Sequence, residues 1–258
     1  MPNDNYVLDN KIGNGAFGIV YKAHHRITKE CCAIKIGESD QIGYEAQIMK
    51  CLNGHVNIPC LKWCGMVQSH KVIVTDLYSL SLKEIKPIDI RMYLKMYLIQ
   101  MIDVIEYLHV KGFVHRDIKP DNFMVKSTTL ERIYLIDYGM TKKYANYNAS
   151  HGFTGSLLFA SINAHKQLPY ARRDDLESII YTTLFLLCNT LSWANITSDN
   201  MMHDKIIERK SAIATSTMVP YDKDIFDSVI KLHSYVRRLA MRESPSYTFM
   251  KSILSKLT

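Results

Sequence analysis

The feature that most constrains the fold is a polar run at residues 115–122, HRDIKPDN, which stands between two apolar segments. Before it, apolar residues recur at steps of four and three within residues 91–110, at Leu94, Leu98, Met101, Ile105 and Leu108. This spacing predicts one amphipathic helix with its apolar stripe toward the core. After the run, IYLI at residues 133–136 predicts a short buried strand that ends at Asp137. The chain must therefore hold a polar loop between a buried helix and a buried strand.

The remaining pattern divides the chain into a β-rich part and a helical part. β-Branched and aromatic residues predict strands at residues 7–12, 19–24, 31–36 and 72–76. Good helix formers without Gly or Pro predict a helix at 44–52. Later helices are predicted at 174–191, 224–242 and 245–257, and the first of these is apolar nearly all round, so it should be central.

These elements predict an α+β fold in a single domain, residues 1–258. A small antiparallel β-sheet lobe should occupy residues 1–78 and a larger, mainly helical lobe residues 79–258, joined by an extended stretch near 76–82 that lacks Gly and Pro. Hydrophobic residues make up 47% of the chain and charged residues 22%, which is enough apolar surface to exclude disorder as the main state.

Charge and targeting signals limit the partners and the compartment. The net charge of +7 favours an anionic partner, such as nucleic acid, acidic lipid, or acidic or phosphorylated protein, but it does not choose among them. The N-terminus lacks the pattern of a signal peptide, and the most apolar stretch, 179–188, is too short to cross a bilayer. We therefore expect an intracellular protein, cytoplasmic or nuclear, without a membrane partner. The six cysteines lack zinc-site spacing, so buried free thiols are expected.

A glycine-rich turn lies near the N-terminus. Residues 12–20 read IGNGAFGIV, so Gly13, Gly15 and Gly18 form the pattern G-x-G-x-x-G. Glycines let backbone N–H groups approach phosphate oxygens without a Cβ in the way. A dinucleotide-binding turn would be followed by a helix, whereas β-type residues (IVYKAHH) follow here, so strand–turn–strand fits better. A plain hairpin turn without a ligand is the alternative.

The polar run itself carries the most specific chemistry. Asp117 and Asn122 lie five residues apart on one loop and can divide the work: Asp117 can orient a substrate hydroxyl, and Asn122 can bind Mg²⁺ through its amide oxygen. Lys119 can neutralise charge that grows on a transferred phosphoryl group. Asp137, at the end of a buried strand and followed by Tyr138 and Gly139, is placed to be a second Mg²⁺ ligand. The alternative is a solvated polar loop without function.

With these motifs, the chain resembles eukaryotic-type protein kinases over essentially its whole length, and more narrowly the casein kinase 1 group. Three features carry the narrower resemblance: residues 160–163 (ASIN) stand where kinases usually have A-P-E, residues 172–178 read RRDDLES, and residues 58–65 have the look of the group. The resemblance implies a serine/threonine protein kinase that uses ATP and two Mg²⁺ ions.

The resemblance also implies roles for individual residues. The nucleotide would be bound by Ile12, Gly13, Asn14, Gly15, Ala16, Phe17, Gly18, Ile19, Val20, Ala33, Lys35, Glu45 and Thr75. Lys35 would hold phosphates and pair with Glu45 rather than with Glu38, which is too close to the strand end, and the helix carrying Glu45 could be trimmed at its start. Asp175 would hold the backbone of the catalytic loop, which is the polar run at residues 115–122. The turn at residues 154–156 would contact Asp117 and Lys119.

Some positions depart from the family pattern. Tyr138 replaces the usual Phe and adds a hydroxyl that must reach water or a partner. Thr75 falls where the group has a bulky gatekeeper, so it should open a back pocket beside the adenine site. The chain stops soon after its last predicted helix, so dependence on tail phosphorylation is not expected. Arg116 could bind a phosphate on the activation segment, where Thr141, Ser150 and Thr154 lie.

Substrate choice and competing functions complete the expectations. Casein kinase 1-like enzymes favour sites near acidic or phosphorylated residues, and Arg172, Arg173 and Lys205, with Lys142 and Lys143, could form an anion pocket or be ordinary solvated charges. We expect protein substrates, a monomer, and no specific nucleic-acid partner, since no nucleic-acid motif is present.

A catalytically silent kinase-like scaffold is disfavoured because Lys35, Asp117 and Asp137 are all present. A small-molecule kinase is disfavoured by Lys119 and by the RRDDLES segment.

Overall fold

The protein is described by a computed structural model over residues 5–15, 18–126, 128–144, 152–196, 201–213 and 218–256. The strands are β1 (Tyr6–Gly15), β2 (Gly18–His25), β3 (Cys31–Gly37), β4 (Leu61–Val67), β5 (His70–Asp76), β6 (Leu80–Ser81), β7 (Phe113–Val114), β8 (Phe123–Lys126), β9 (Thr129–Leu135) and β10 (Lys142–Lys143). The helices are α1 (Asp40–Leu52), α2 (Pro87–Val110), α3 (Ile162–His165), α4 (Arg172–Cys188), α5 (Met202–Ser211), α6 (Lys223–Arg238) and α7 (Tyr247–Ser255). A short 3₁₀ turn, Pro120–Asn122, precedes β8.

The smaller lobe is a five-stranded antiparallel sheet in the order β1-β2-β3-β5-β4, with α1 packed against it. Alternation along β5 separates its two faces. Val72 and Val74 join a small apolar cluster of the sheet, whereas Ile73 between them joins the larger core that contains Ile42 of α1. The two-lobed α+β fold expected from the sequence is confirmed.

Helix α1 begins earlier than the sequence indicated. We expected it to start at residue 44 and to be trimmed, but it starts at Asp40, because the Ser39 side chain accepts a hydrogen bond from the backbone N–H of Gln41. Ile42 in its first turn is fully buried, which anchors the extra turn to the core. The expectation of a trimmed helix was therefore wrong.

Helices α2 and α4 cross the centre of the larger lobe and contact each other. Leu94 and Met101 of α2 and Ile179 and Leu184 of α4 have no solvent exposure, so the prediction that the helix near 174–191 is central is confirmed. Around them pack β9 and α7 against α2, and α6 against α4.

Helix ends differ from the expected bounds by several residues. Helix α2 starts four residues earlier than expected, since Pro87 fits the first helical turn, where its missing N–H has no partner to lose. Helix α4 stops at Cys188 because Asn189 takes a left-handed conformation with φ of 57°. Helix α6 ends at Arg238, where Leu239 becomes extended. Elements β4, α3 and α5 were not predicted, because none shows a clear apolar alternation or stripe.

The two lobes are joined by residues 77–79, which form no helix or strand, followed by β6, which pairs with β8 of the larger lobe. Within the described ranges, no helix combines the length and the apolar character needed to cross a membrane. The cysteines are free thiols, but Cys31, Cys51 and Cys60 are exposed and only Cys32 is buried. Cys64 and Cys188 are half-buried, so the expectation of buried thiols holds for Cys32 alone.

Candidate active site between the lobes

A cleft of about 220 Å³ lies between the sheet, α1 and the start of β8. Of the residues expected to bind a nucleotide, those that line it are Ile12, Gly15, Val20, Ala33, Lys35, Glu45 and Thr75. Gly13, Asn14, Gly18 and Ile19 lie on the neighbouring strands but do not line it, and Ala16 and Phe17 lie outside the described residues. The cleft walls are mostly apolar, and three of its charged residues, Lys35, Glu45 and Asp137, contact one another.

Lys35 joins three elements that the sequence keeps far apart. Its Nζ donates to Glu45 Oε2 of α1 at 2.6 Å and to Asp137 Oδ1 at 3.2 Å. Glu38, the competing partner, instead lies 3.4 Å from His70 at the surface. The expected contact between Lys35 and Glu45 is therefore present.

The electrostatics of this trio favour a charged site. Burial alone would lower the pKa of Lys35, but the carboxylates of Glu45 and Asp137 outweigh it and raise that pKa. Burial alone would raise the pKa of Asp137, but the ammonium of Lys35 outweighs it and lowers that pKa. Burial raises the pKa of Glu45, although its contact with Lys35 and a hydrogen bond from the N–H of Tyr138 at 3.3 Å oppose this rise.

The Asp137–Gly139 segment is locked under α1. The Tyr138 ring is fully buried, and its hydroxyl donates to the carbonyl of Leu135 at 2.7 Å, so the extra hydroxyl reaches a partner within the protein. Asp137 has a φ of 62°, in the left-handed region that L-residues rarely occupy. Gln41 of α1 donates a hydrogen bond to the Gly139 carbonyl. These contacts hold the Asp137 carboxylate inside the cleft.

In the catalytic loop, two side chains donate hydrogen bonds to the same carboxylate oxygen of Asp117. Lys119 Nζ donates to Asp117 Oδ2 at 2.6 Å, and Asn122 Nδ2 donates to the same oxygen at 3.1 Å and to the Asp117 carbonyl at 2.8 Å. Among the described residues, Asp117 Oδ1 accepts no hydrogen bond, so it is free to accept one from a ligand. The loop therefore presents a fixed carboxylate beside an amide.

Asp175 at the start of α4 holds the catalytic loop by its backbone. Its carboxylate accepts from the N–H of His115 at 2.8 Å and of Arg116 at 2.9 Å, and also from the hydroxyl of Tyr170 at 2.9 Å. His109 of α2 contacts it at 2.8 Å. Burial alone would raise the pKa of Asp175, but hydrogen bonding to His109 and to the Arg116 N–H lowers it. The place that the resemblance gave to Asp175 agrees with these contacts.

The segment that follows Gly155 is pinned to α4. Ser161 Oγ and Asn163 Nδ2 donate to Asp174 Oδ1 at 2.7 and 3.0 Å. The N–H of Ile162 donates to Glu177 Oε1 at 2.9 Å, and Arg237 of α6 donates to Glu177 Oε2 at 2.9 Å. The two sequence features that carried the narrower resemblance, ASIN and RRDDLES, therefore contact each other.

Asn122 and Asp137 fit the expectation of a magnesium site. Both line the cleft, and both offer hard oxygen ligands of the kind that Mg²⁺ prefers. The Asn122 amide nitrogen is used by Asp117, so its Oδ1 faces away from that contact and accepts no hydrogen bond from the described residues. Asp137 likewise keeps Oδ2 free, since Lys35 and the Gly139 N–H both contact Oδ1.

The glycines of the turn have different reasons to be glycine. A Cβ on Gly18 would lie 2.5 Å from the carbonyl oxygen of Ile36, so β2 could not pack against β3 with a larger residue there. A Cβ on Gly15 would come no closer than 3.7 Å to any described residue that is not adjacent to it in the chain. Packing therefore explains Gly18, whereas none of the described residues requires glycine at Gly15, which lines the cleft.

Two expected contacts are not formed as predicted. Thr154 accepts a hydrogen bond from Arg116 Nη2 at 3.0 Å, and no hydrogen bond from residues 154–156 to Asp117 or Lys119 is present among the described residues. Arg172 and Arg173 donate to backbone carbonyls of residues 239–243, with Arg173 Nη1 lying 2.5 Å from the Leu239 oxygen. Their guanidinium groups are thus bound to the residues that follow α6, which weakens their part in an anion pocket.

The remaining expected residues are placed as follows. Lys142 and Lys143 are exposed on β10, which pairs with β7 just before the catalytic loop, and Lys205 lies on α5. Thr141 has no exposure, and Ser150 lies outside the described residues.

Sequence reasoning missed several residues of the cleft. These are Met49, Pro59, Ile73, Asp76, Leu77, Tyr78, Met124, Ile136 and Tyr138. Most are apolar residues without a motif, but the stretch from Asp76 to Tyr78 had already been recognised as the join between the lobes. A segment that connects two lobes is expected to line the cleft between them. The position of this join could therefore have predicted Asp76, Leu77 and Tyr78 as cleft residues.

The family comparison agrees with the architecture and with the contents of the cleft. A family model described as the protein kinase domain matches residues 6–256, nearly all of the 258 residues. The match spans both lobes, the Lys35–Glu45 pair, the catalytic loop and Asp137. Proteins of this kind use ATP, typically with a divalent metal, to phosphorylate proteins. On this match, the chain belongs to the protein kinase domain family.

Proposed function

We propose that the protein is a serine/threonine protein kinase, a single domain over residues 1–258 whose lobes meet near residue 78, that transfers the γ-phosphoryl group of ATP with Mg²⁺. The observation that carries the proposal is the convergence of Lys35, Glu45, Asn122 and Asp137 on one cleft beside Asp117. The likeness of ASIN and RRDDLES to casein kinase 1 supports serine/threonine specificity and membership of that group.

The geometry suggests a division of roles. Lys35 is held by two carboxylates at the end of the cleft where the α and β phosphates would lie, and Gly15 would let the turn approach them. Asp117 would accept and orient the substrate hydroxyl through its free Oδ1, while Lys119 at 2.6 Å offsets growing negative charge. Asn122 and Asp137 would hold Mg²⁺, which when bound neutralises phosphate charge.

We further propose a preference for acidic or phosphorylated substrates. Since Arg172 and Arg173 are committed to backbone carbonyls, the support comes mainly from Lys142 and Lys143, both exposed on the strand paired with Phe113–Val114. They stand close to the catalytic loop, where a positive surface would attract an acidic peptide.

The test of kinase activity uses the full chain with labelled ATP, Mg²⁺, casein and a panel of small-molecule acceptors. We expect phosphoserine and phosphothreonine in casein, and a loss of roughly 100-fold or more with Asp137→Asn. Phosphotyrosine as the main product would contradict serine/threonine specificity, and label only in a small molecule would contradict a protein substrate.

The alternative of a catalytically silent scaffold has a distinct outcome. If the wild type binds Mg²⁺–ATP, measured as a thermal shift, but leaves casein and peptides unlabelled, the scaffold is the better description. The contact of Lys35 with Asp137, and the hydrogen bonds that hold Asp117 to Lys119 and Asn122, favour turnover.

The substrate preference is tested with peptide pairs that differ only in acidic residues near the acceptor. The double change Lys142→Gln with Lys143→Gln should reduce the rate ratio between acidic and neutral peptides. The double change Lys223→Gln with Lys231→Gln, which removes exposed lysines of α6, is the matched control and should leave the ratio unchanged. Equal rates for acidic and neutral peptides in the wild type would refute the preference.

A further inference from the structure

Lys210 of α5 is a fully buried lysine that the proposed chemistry does not use. Its Nζ donates to the carbonyl of Ala160 at 2.6 Å and to that of Leu157 at 3.3 Å, and lies 3.0 Å from His165 Nε2. The aromatic rings of Tyr181 and Trp193 cover it at 4.6 and 5.4 Å. A lysine is rarely buried to this degree without a carboxylate partner, and the ion pairs among the described residues include none for Lys210.

The nearest acid does not supply that partner. Glu177 Oε1 accepts from the N–H of Ile162 and from the hydroxyl of Tyr181 at 2.5 Å, and Oε2 accepts from Arg237. A second titratable neighbour of Lys210 is His165, whose Nδ1 lies 2.8 Å from Nδ1 of His203 on α5. Burial lowers the pKa of Lys210 to about 7, and the charge of Glu177 only partly opposes this. Lys210 is thus kept in an unfavourable setting where its main contacts are two backbone carbonyls.

Those carbonyls belong to residues 154–160, which run from the catalytic loop to α5. At the loop end, Thr154 accepts from Arg116, and a Cβ on Gly155 would lie 2.9 Å from the Arg116 carbonyl oxygen, so the two backbones touch. At the other end, Trp193 Nε1 donates to the Leu158 carbonyl at 2.8 Å, between the two carbonyls that Lys210 holds. Buried donors on α5 and in the turn after α4 therefore hold residues 154–160 in place.

We propose that Lys210 is a positioning residue for the protein substrate: by fixing the Leu157 and Ala160 carbonyls, it holds residues 154–160 against Arg116, next to Asp117, so that this segment helps to align a substrate chain with the Asp117 carboxylate. The proposal rests on the proposed kinase function. It predicts an effect on the binding of the protein substrate rather than on ATP, since Lys210 lies outside the cleft that contains Lys35.

Kinetics of three variants test the proposal. Lys210→Met keeps the length of the side chain but removes its donors, and Trp193→Phe keeps a ring but removes the donor to Leu158. Both should raise KM for casein or peptide roughly tenfold, while KM for ATP stays within about twofold. Leu254→Ala, a fully buried change on α7, is the control for general destabilisation and should leave both KM values unchanged.

Hydrogen exchange supplies a readout that does not depend on catalysis. The N–H groups of Phe159 and Ala160 both donate to the Ser156 carbonyl, and they should exchange faster in Lys210→Met and in Trp193→Phe but not in Leu254→Ala. If the wild type phosphorylates no protein while exchange responds as expected, the kinase proposal fails and the anchoring of residues 154–160 stands.

Equal increases in both KM values, or the same kinetic change in Leu254→Ala, would overturn the positioning role. If Lys210→Met does not fold, Trp193→Phe decides alone, and an unchanged peptide KM together with unchanged exchange in that variant overturns the role as well.

Discussion

At the scale of single residues, two positions of the same motif can be constrained by different physical causes. Gly15 and Gly18 belong to one glycine pattern, yet a Cβ would be blocked only at Gly18. By the resemblance, Tyr138 and Thr75 both depart from the family pattern; the Tyr138 hydroxyl donates to the Leu135 carbonyl, and Thr75 lines the cleft. These differences give three predictions.

The substitutions Gly18→Ala and Gly15→Ala should separate packing from ligand approach. Gly18→Ala should lower the free energy of unfolding by about 2 kcal/mol, because its Cβ meets the Ile36 carbonyl and the Ile42 side chain. Gly15→Ala should change stability by less than about 1 kcal/mol but raise KM for ATP. Denaturant unfolding and steady-state kinetics measure the two effects, and equal destabilisation by both would contradict this reading.

Tyr138→Phe should restore the usual family residue but weaken this protein. The change removes the hydroxyl that donates to the Leu135 carbonyl in a fully buried setting, which should cost about 1 kcal/mol of unfolding free energy. Because Asp137 and Lys35 are untouched, kcat should be nearly unchanged. A large loss of kcat at unaltered stability would mean that the hydroxyl acts in catalysis.

Thr75→Met should close the part of the cleft behind Thr75, where Met49 and Ile73 also line the wall. Bulky ATP-site inhibitors should bind more weakly to this variant, measured as the ratio of inhibition constants to wild type, while ATP itself is little affected. Unchanged inhibition would show that Thr75 is not the gatekeeper.

At the scale of elements, buried carboxylates at the start of α4 hold both the catalytic loop and residues 161–163. Asp175 binds the N–H groups of His115 and Arg116, and Asp174 binds Ser161 and Asn163. One helix end therefore fixes both polar segments. A helix N-terminus suits carboxylates, because its unpaired N–H groups carry partial positive charge.

Asp175→Asn should lower the unfolding free energy by about 3 kcal/mol and reduce kcat, since an amide cannot accept all of these hydrogen bonds. The pKa of Asp175 is lowered in the folded protein, so its contribution is present above the ordinary value of 3.8 and is lost as pH falls below it. The stability difference between wild type and variant should therefore shrink in acid. Tyr170→Phe, which removes a single donor to Asp175, is the control and should cost about 1 kcal/mol.

At the scale of the whole molecule, the two lobes are tied by long-range contacts and by one continuous core. Lys35 and Asp137 are 102 residues apart in the sequence, and the larger hydrophobic cluster includes Ile42 of α1 as well as Leu184 of α4. The position of α1 therefore depends on the folding of the larger lobe. Stability measured globally should report on buried groups anywhere in this core, Lys210 included.

The buried Lys210 predicts a specific dependence of global stability on pH. Its folded pKa of about 7 lies below the ordinary 10.5, so the unfolded chain binds more protons between these values and stability gains from Lys210 as pH rises through this window. Lys210→Met lacks this gain. The melting temperature of wild type relative to the variant should therefore increase from pH 7 to pH 9, and a constant difference would mean that Lys210 titrates normally.

The spacing of residues by itself determined a large part of this protein. The helical stripe from Leu94 to Leu108, the alternating strands and the HRDIKPDN run are local patterns, and local patterns are read along the chain. The fold class and the central place of α4 could be predicted for that reason, whereas the pairing of Lys35 with Glu45 was implied by the resemblance to protein kinases. Helix ends were less accurate, because Ser39 and Asn189 act through local capping geometry that spacing does not show.

Only the tertiary structure decided which polar groups meet across the core. From the sequence, Arg172 and Arg173 could have formed an anion pocket. In the folded protein they instead donate hydrogen bonds to backbone carbonyls of residues 239–243, which follow α6. Lys210 carried no sequence signal, and its contact with residues 157–160 arises because α5 packs beneath them. Buried donors must be paired with whatever carbonyl or carboxylate the packing brings near, and that pairing is fixed by contacts distant in the chain rather than by neighbouring residues.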